Sequence, residues 1–192
     1  MAGGQITVFL QSWRAGDSHA IEQLLPLVYD ELRQVARRQL LRESPSHTLS
    51  STALVHEVYL RLVQQRQMVA NDREHFFAIA GQTMRRILVD HARARRRLKR
   101  DGVRVDVDVD ATPALLGAGE VEEVLALEEA LERLMRESER AVRVVECRIF
   151  AGLTLEETAE ALGLSTKSVQ RTWTAAAAWL RKELGGDRLL PH

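Results

Sequence analysis

"TLEETAEALGLSTKSVQRTW", Thr154 to Trp173, reads as two short helices joined at a glycine. Thr154 followed three residues later by Glu157 is a capping box, each side chain reaching the other's backbone N–H. Leu155, Thr158, Ala159 and Leu162 fall on one face of the first helix. Gly163 supplies the turn, because glycine takes a positive φ without steric cost, and Leu164 plugs it. Ser165 caps the second helix, whose inner face is Val169, Trp173, Ala176 and Leu180. Thr166, Lys167, Ser168, Gln170, Arg171 and Thr174 are left facing outward near its start. A helix placed this way offers its N-terminal polar groups to the major groove, where Arg pairs with guanine and Gln with adenine. A plain helical hairpin would share part of this pattern; two caps, a turn and an inner face together favour a DNA-binding helix-turn-helix.

The rest of the chain poses a charge problem. Its 192 residues hold 27 Lys and Arg against 27 Asp and Glu, formally neutral, whereas DNA affinity rests largely on cations facing phosphate. The charges are segregated. Arg85, Arg86, Arg93, Arg95, Arg96, Arg97, Lys99 and Arg100 crowd one stretch, opposed locally by Asp90 alone. Glu120, Glu122, Glu123, Glu128, Glu129 and Glu132 crowd another, opposed mainly by Arg133. Salt screens beyond about 10 Å, so local charge decides what each stretch contacts.

Composition and periodicity point to an all-α protein with two small helical domains joined by a flexible acidic linker, the second a helix-turn-helix. A short helix ends near Gly16, where Asp17 or Ser18 can cap the next. From Ile21 to Leu41 the apolar residues Ile21, Leu24, Leu25, Val28, Leu32, Val35 and Leu40 recur at helical spacing, with Pro26 predicting a kink or a helix start. "RESPSHTLSST" (42–52) reads as a loop, "ALVHEVYLRLV" (53–63) as a helix and "QQRQMVANDRE" (64–74) as a second loop. Asn71 is placed to cap the next helix, with Glu74 reaching back; that helix runs from about His75 to Arg97. "DGVRVDVDVDATPALLGAGE" (101–120) holds three glycines and a proline and reads as the linker, since its one alternating run has no partner strand. Helices are expected at 121–136, 138–151, 154–162 and 165–183. The domains are therefore 1–100 and 121–192.

Several functions are excluded. No apolar run reaches the length of a membrane span, and the first residues lack the pattern of a secretory signal. The one cysteine, Cys147, excludes an internal disulfide and lies in an amphipathic run as a small core residue. "HEVYL" at His56 lacks a second ligand four residues on. Asp106, Asp108 and Asp110 lack the glycine and glutamate of a calcium loop. No nucleophile–base pair or phosphate-cradling loop is present, so no catalytic residue, metal or cofactor is expected.

With both halves read, the chain resembles a bacterial RNA polymerase sigma factor of the extracytoplasmic-function (ECF) group. "LLPLVYDELRQVARRQL", "ALVHEVYLRLV", "HFFAIAGQTMRRILVDHARARRRLKR" and the terminal helix-turn-helix follow that family's order. The resemblance implies that Leu54, Val55, Glu57, Leu60 and Arg61 lie on or beside the contact with the polymerase. It implies that Asn71, Asp72, Arg73, His75 and Phe76 sit near a base flipped from the promoter's −10 element, with Arg85, Arg86, His91, Arg93, Arg95 and Arg96 facing the DNA backbone. Ser165, Thr166, Lys167, Ser168, Gln170, Arg171 and Thr174 then read the −35 element, and the acidic linker runs along the polymerase's RNA exit path. The partners implied are core RNA polymerase and promoter DNA in the cytoplasm, with an anti-sigma factor or a Ser/Thr kinase as candidate controllers. Where the family carries acidic residues ahead of "LVHE", this chain has Ser50, Ser51 and Thr52. Phosphorylation there would restore the negative charge. The rival reading is a stand-alone helix-turn-helix regulator with a helical sensor domain, which would bind duplex DNA unaided.

Overall fold

The structure, a computed structural model, describes residues 2–17, 19–40, 47–64, 70–100 and 118–185, and only the backbone of 2–3, 47–50 and 118–120. Its elements are α1 (Ala2–Arg14), α2 (Ala20–Gln39), α3 (His47–Gln64), α4 (Arg73–Arg100), α5 (Ala118–Glu137), α6 (Glu139–Val145), α7 (Leu155–Leu162) and α8 (Thr166–Leu184). Helix α6 runs on into a π-helical turn over Glu146–Phe150. No strand occurs among the described residues, as the composition predicts.

The apolar periodicity of the N-terminal half becomes its core. Ile21, Leu24, Val28, Leu32 and Val35 of α2 meet Leu54, Val55, Val58 and Leu62 of α3 and Phe76, Ala80, Met84 and Ile87 of α4, with Ile6 and Leu10 of α1 closing one side. The helix α2 does not start or break at Pro26. Pro26 and Glu22, the residue whose carbonyl Pro26 leaves without a backbone donor, are both exposed, so water can serve that carbonyl.

Two boundaries differ from expectation. The helix α3 begins at His47, inside the stretch read as loop, so Ser50, Ser51 and Thr52 are helical. Asp72 rather than Asn71 starts α4: its Oδ1 accepts from the His75 N–H at 2.8 Å, and its carbonyl from the Phe76 N–H at 3.0 Å. Asn71 instead accepts from Arg14 Nη1 at 2.8 Å, tying the turn to α1.

In the C-terminal half the expected caps are present. Thr154 and Glu157 form the capping box, and Ser165 Oγ accepts from the Ser168 N–H at 3.3 Å. Gly163 lies at φ 62°. Val144, Ala159 and Val169 are buried where α6, α7 and α8 meet, and Leu131, Leu134, Val142, Val145, Ala176 and Leu180 form a larger core. The helix expected over 138–151 is instead α6 followed by the π turn, in which Ala151 N–H donates to the Glu146 carbonyl at 3.0 Å. One extra residue in the turn rotates the chain beyond it.

Of the proposed linker, 101–117 lies outside the described residues, and 118–120 already belong to α5. The two halves share apolar packing: Val121, Leu125, Cys147, Ala151 and Leu153 join the N-terminal core.

Candidate nucleic-acid interface

Helix α4 has 28 residues, about 42 Å at 1.5 Å per residue. Its apolar stripe faces the core as far as Ala92; beyond that Arg96, Arg97, Lys99 and Arg100 are exposed, as is Arg86 earlier on. These cations form a solvated row. Arg73, Arg85 and Arg93 instead meet carboxylates, Arg93 with its side chain still 52% exposed. Arg85 pairs with Glu128 of α5 and with Glu146 at 2.8 Å, and all three side chains are largely buried. Arg93 lies 3.4 Å from Glu132 and 3.9 Å from Glu128. Arg73 pairs with Glu31 of α2, with Glu74 at 3.2 Å and with Glu157 of α7 at 3.1 Å, while its guanidinium sits 4.9 Å over the Phe77 ring. Burial works against the charge of Arg73. The field of Glu31 and hydrogen bonds to Glu157, Glu31 and Glu74 outweigh it and hold the guanidinium above its ordinary pKa. The carboxyl of Glu157 moves the other way. Burial opposes its charge, but the Thr154 N–H, Arg73 and the Thr154 hydroxyl hold it below the usual glutamate value.

Phe76 is 1% exposed and meets Phe77 edge to face at 5.4 Å. It lies behind the turn at Asn71 and Asp72, where it supports the helix from within. His75 is half-buried.

On α3 the residues named for polymerase contact divide. Leu54 and Val55 are fully buried, whereas Leu60 is 57% and Val63 38% exposed. Glu57 and Arg61 flank this apolar pair within a network: Arg61 reaches Asp90 at 3.2 Å and Glu57 at 3.5 Å, and His91 Nε2 reaches Glu57 at 3.1 Å. His91 therefore faces α3. Ser51 is fully buried, Thr52 is half-buried, and the side chain of Ser50 lies outside the described residues. On α8, Ser165, Lys167, Gln170, Arg171 and Thr174 are exposed at its outer start, with Thr166 and Ser168 half-buried. The Thr174 hydroxyl donates back to the Gln170 carbonyl at 2.9 Å.

A profile of the ECF sigma factor family matches residues 3–186. The chain belongs to the ECF sigma factor family. This sigma factor is accordingly a DNA-binding factor of transcription initiation, from a family that is not catalytic. Among solved structures it is similar to CnrH in its complex with the cytosolic domain of CnrY. That match has 19% identity over 94% of this chain and 97% of the other, with a TM-score of 0.42. A search of curated proteins finds no match.

Among the described residues of the sigma factor, no helix is long and apolar enough to cross a membrane. None of those residues form a group of three or more His, Cys, Asp or Glu fit to hold a metal. The site residues that sequence reading missed are the carboxylates Glu31, Glu146 and Glu157. The acidic stretch around Glu128 is visible in the sequence; that it meets Arg85 and Arg93 is not, since those contacts span 43 and 39 residues. Cys147 behaves as expected of a core residue. Burial, and then the charge of Glu146, push its thiol up to about 12, so it stays protonated at neutral pH.

Proposed function

We propose that this sigma factor docks on core RNA polymerase through the outer face of α3, opens the −10 element with α4 and the turn before it, and reads the −35 element with the exposed start of α8. The observation that carries this is α4 itself: one long helix with its apolar face in the core and Arg86, Arg96, Arg97, Lys99 and Arg100 in an exposed row. Such a row suits a phosphate backbone, and unstacking a base costs a few kcal/mol that those contacts offset. In this reading residues 1–100 and 121–192 work as two units, the acidic segment between them follows the RNA exit path, and the protein acts in the cytoplasm. The deciding experiment is run-off transcription with purified core polymerase on a promoter library. Specific transcripts are the expected result. Tight duplex binding by the chain alone, with no transcripts, would instead favour the stand-alone regulator.

Arg171 is exposed on the first turns of α8. Arg171→Ala is expected to relax the preference at one −35 position, with a loss of about 1–3 kcal/mol for the preferred base. Equal loss across every promoter variant would make it a backbone contact.

Control by a kinase would fall on Thr52 or Ser50, because Ser51 is buried and a phosphate needs an accessible hydroxyl; Thr52 is the one of the two whose side chain the structure describes. A phosphate adds about −1.5 to −2 charges, in place of the acidic cluster of the family. Thr52→Glu is expected to retain more core polymerase in a pull-down than the unmodified chain; equal retention would leave an anti-sigma factor as the candidate controller.

A further inference from the structure

We infer that the cleft between the first half of α4 and helices α6 and α7 is a binding site for a small organic anion, an apolar body carrying one carboxylate or sulfonate group. The cleft holds about 580 Å³, within the roughly 300–1,000 Å³ usual for small-molecule sites.

Its walls follow from helical spacing. On α4, His75, Ala78, Ile79 and Gln82 stand at i, i+3, i+4 and i+7, a single stripe, and all four are half-buried. Ala161 and Leu162 of α7 and Leu164 of the turn after it, also half-buried, complete an apolar wall with Ala78 and Ile79. Helix α6 supplies the charged side, with Arg140 and Arg143 one turn apart and both exposed.

The charges lining the cleft do not cancel locally. Glu146 is paired with Arg85 at 2.8 Å and accepts from Gln82 Nε2 at 3.2 Å. Glu139 is paired with Arg143 at 2.5 Å. Arg140 meets no hydrogen-bond or ion-pair partner among the described residues. His75 adds a further cation only when protonated. One uncompensated guanidinium therefore stands beside an apolar wall. A guanidinium takes a carboxylate through two parallel hydrogen bonds, and one positive charge matches a monoanion rather than a phosphate dianion. The apolar wall contributes nothing to a bare inorganic ion; it favours a ligand with hydrocarbon to bury. Such a ligand touches α4 on one side and α6 and α7 on the other, so binding it stabilises the folded chain.

The test uses the full chain alone. The probe is 8-anilinonaphthalene-1-sulfonate, an aromatic monoanion whose fluorescence rises when it leaves water. Saturable binding of one molecule per chain is expected. 1-Naphthoate should displace it. Naphthalenemethanol, with the rings and no charge, and inorganic phosphate, with charge and no apolar body, should not do so at the same concentration. Arg140→Gln should weaken the probe and 1-naphthoate about tenfold, the order expected when a hydrogen bond to a charged group is lost. Arg136→Gln makes the same charge change at an exposed position outside the cleft and should leave both unchanged. Ala78→Phe places a ring in the cleft and should exclude the probe. 1-Naphthoate should also raise the thermal midpoint of the unmodified chain more than that of Arg140→Gln. Absence of saturable binding, or equal affinity in Arg140→Gln with unchanged circular dichroism, would overturn the inference. So would displacement by phosphate or naphthalenemethanol as effective as that by 1-naphthoate. Should Ala78→Phe fail to fold, Arg140→Gln, at an exposed position, decides alone. Neither polymerase nor promoter enters these measurements, so failure here and failure of the proposed function are distinct results.

Discussion

A chain carrying Phe76→Ala is expected to lose about 3–5 kcal/mol of stability, the usual cost of emptying an aromatic site in a close-packed core. Whole domains are stable by about 5–15 kcal/mol, so denaturant unfolding should show a large shift in midpoint. The ring is buried among α2, α3 and α4 and packs edge to face on Phe77. Family resemblance places this residue beside the flipped base, while its burial in the core makes it a packing residue at the start of α4. The two roles separate in Phe76→Leu, which keeps most of the volume and loses the aromatic face. Core swaps of that kind usually cost under about 1.5 kcal/mol, and promoter opening, followed by 2-aminopurine fluorescence with core polymerase, should survive. A folded Phe76→Leu protein that binds promoter but cannot open it would show that the ring stacks on the base after all.

The example of Phe76 also marks how far the sequence could be read. Spacing of apolar residues fixes which face of each helix is inward, and the inward residues of α2, α3 and α4 were legible on that ground alone. The caps at Thr154 and Ser165 and the turn at Gly163 were legible because each is a local event within four residues. The long-range contacts were not legible. Asn71 and Asp72 are equally good caps by type, and only Arg14, on another helix, decides between them by engaging Asn71. The "PSHTLSST" stretch looks like a loop because Ser and Thr compete with helical hydrogen bonds, yet α3 extends back to His47. The segregation of charge was visible, but the sequence assigned basic and acidic stretches to different partners. In the folded chain part of each is the partner of the other, through Arg85, Glu128 and Glu146. Nothing local in Gly81 announces that Ala151 will lie against it.

Leu60→Asp is expected to weaken association with core polymerase by at least about 30-fold, the effect of removing an interface hot spot. Leu60 is the most exposed large apolar residue among the described side chains of α3, and Val63 is its exposed apolar neighbour. Under the proposed docking, this pair is the part of α3 that burial against the polymerase would take out of water. Aspartate at this position would place an unpaired charge in that contact, which costs more than the lost methyl groups alone. The substitution lies at the surface, where changes usually stay within about 0.5 kcal/mol of stability, so the thermal midpoint should barely move. Leu54→Ala supplies the converse: its side chain is fully buried, and the change should cost about 2–5 kcal/mol of stability without removing any surface a partner could touch. A second signature comes from Glu57 and Arg61, which flank the apolar pair as a partly exposed ionic network with Asp90 and His91. Charges at an interface rim act mainly on the rate of encounter. Glu57→Gln should therefore change the association rate and its salt dependence, whereas Leu60→Asp should act on dissociation at every ionic strength. If Leu60→Asp binds core polymerase like the unmodified chain, the outer face of α3 is not the docking face.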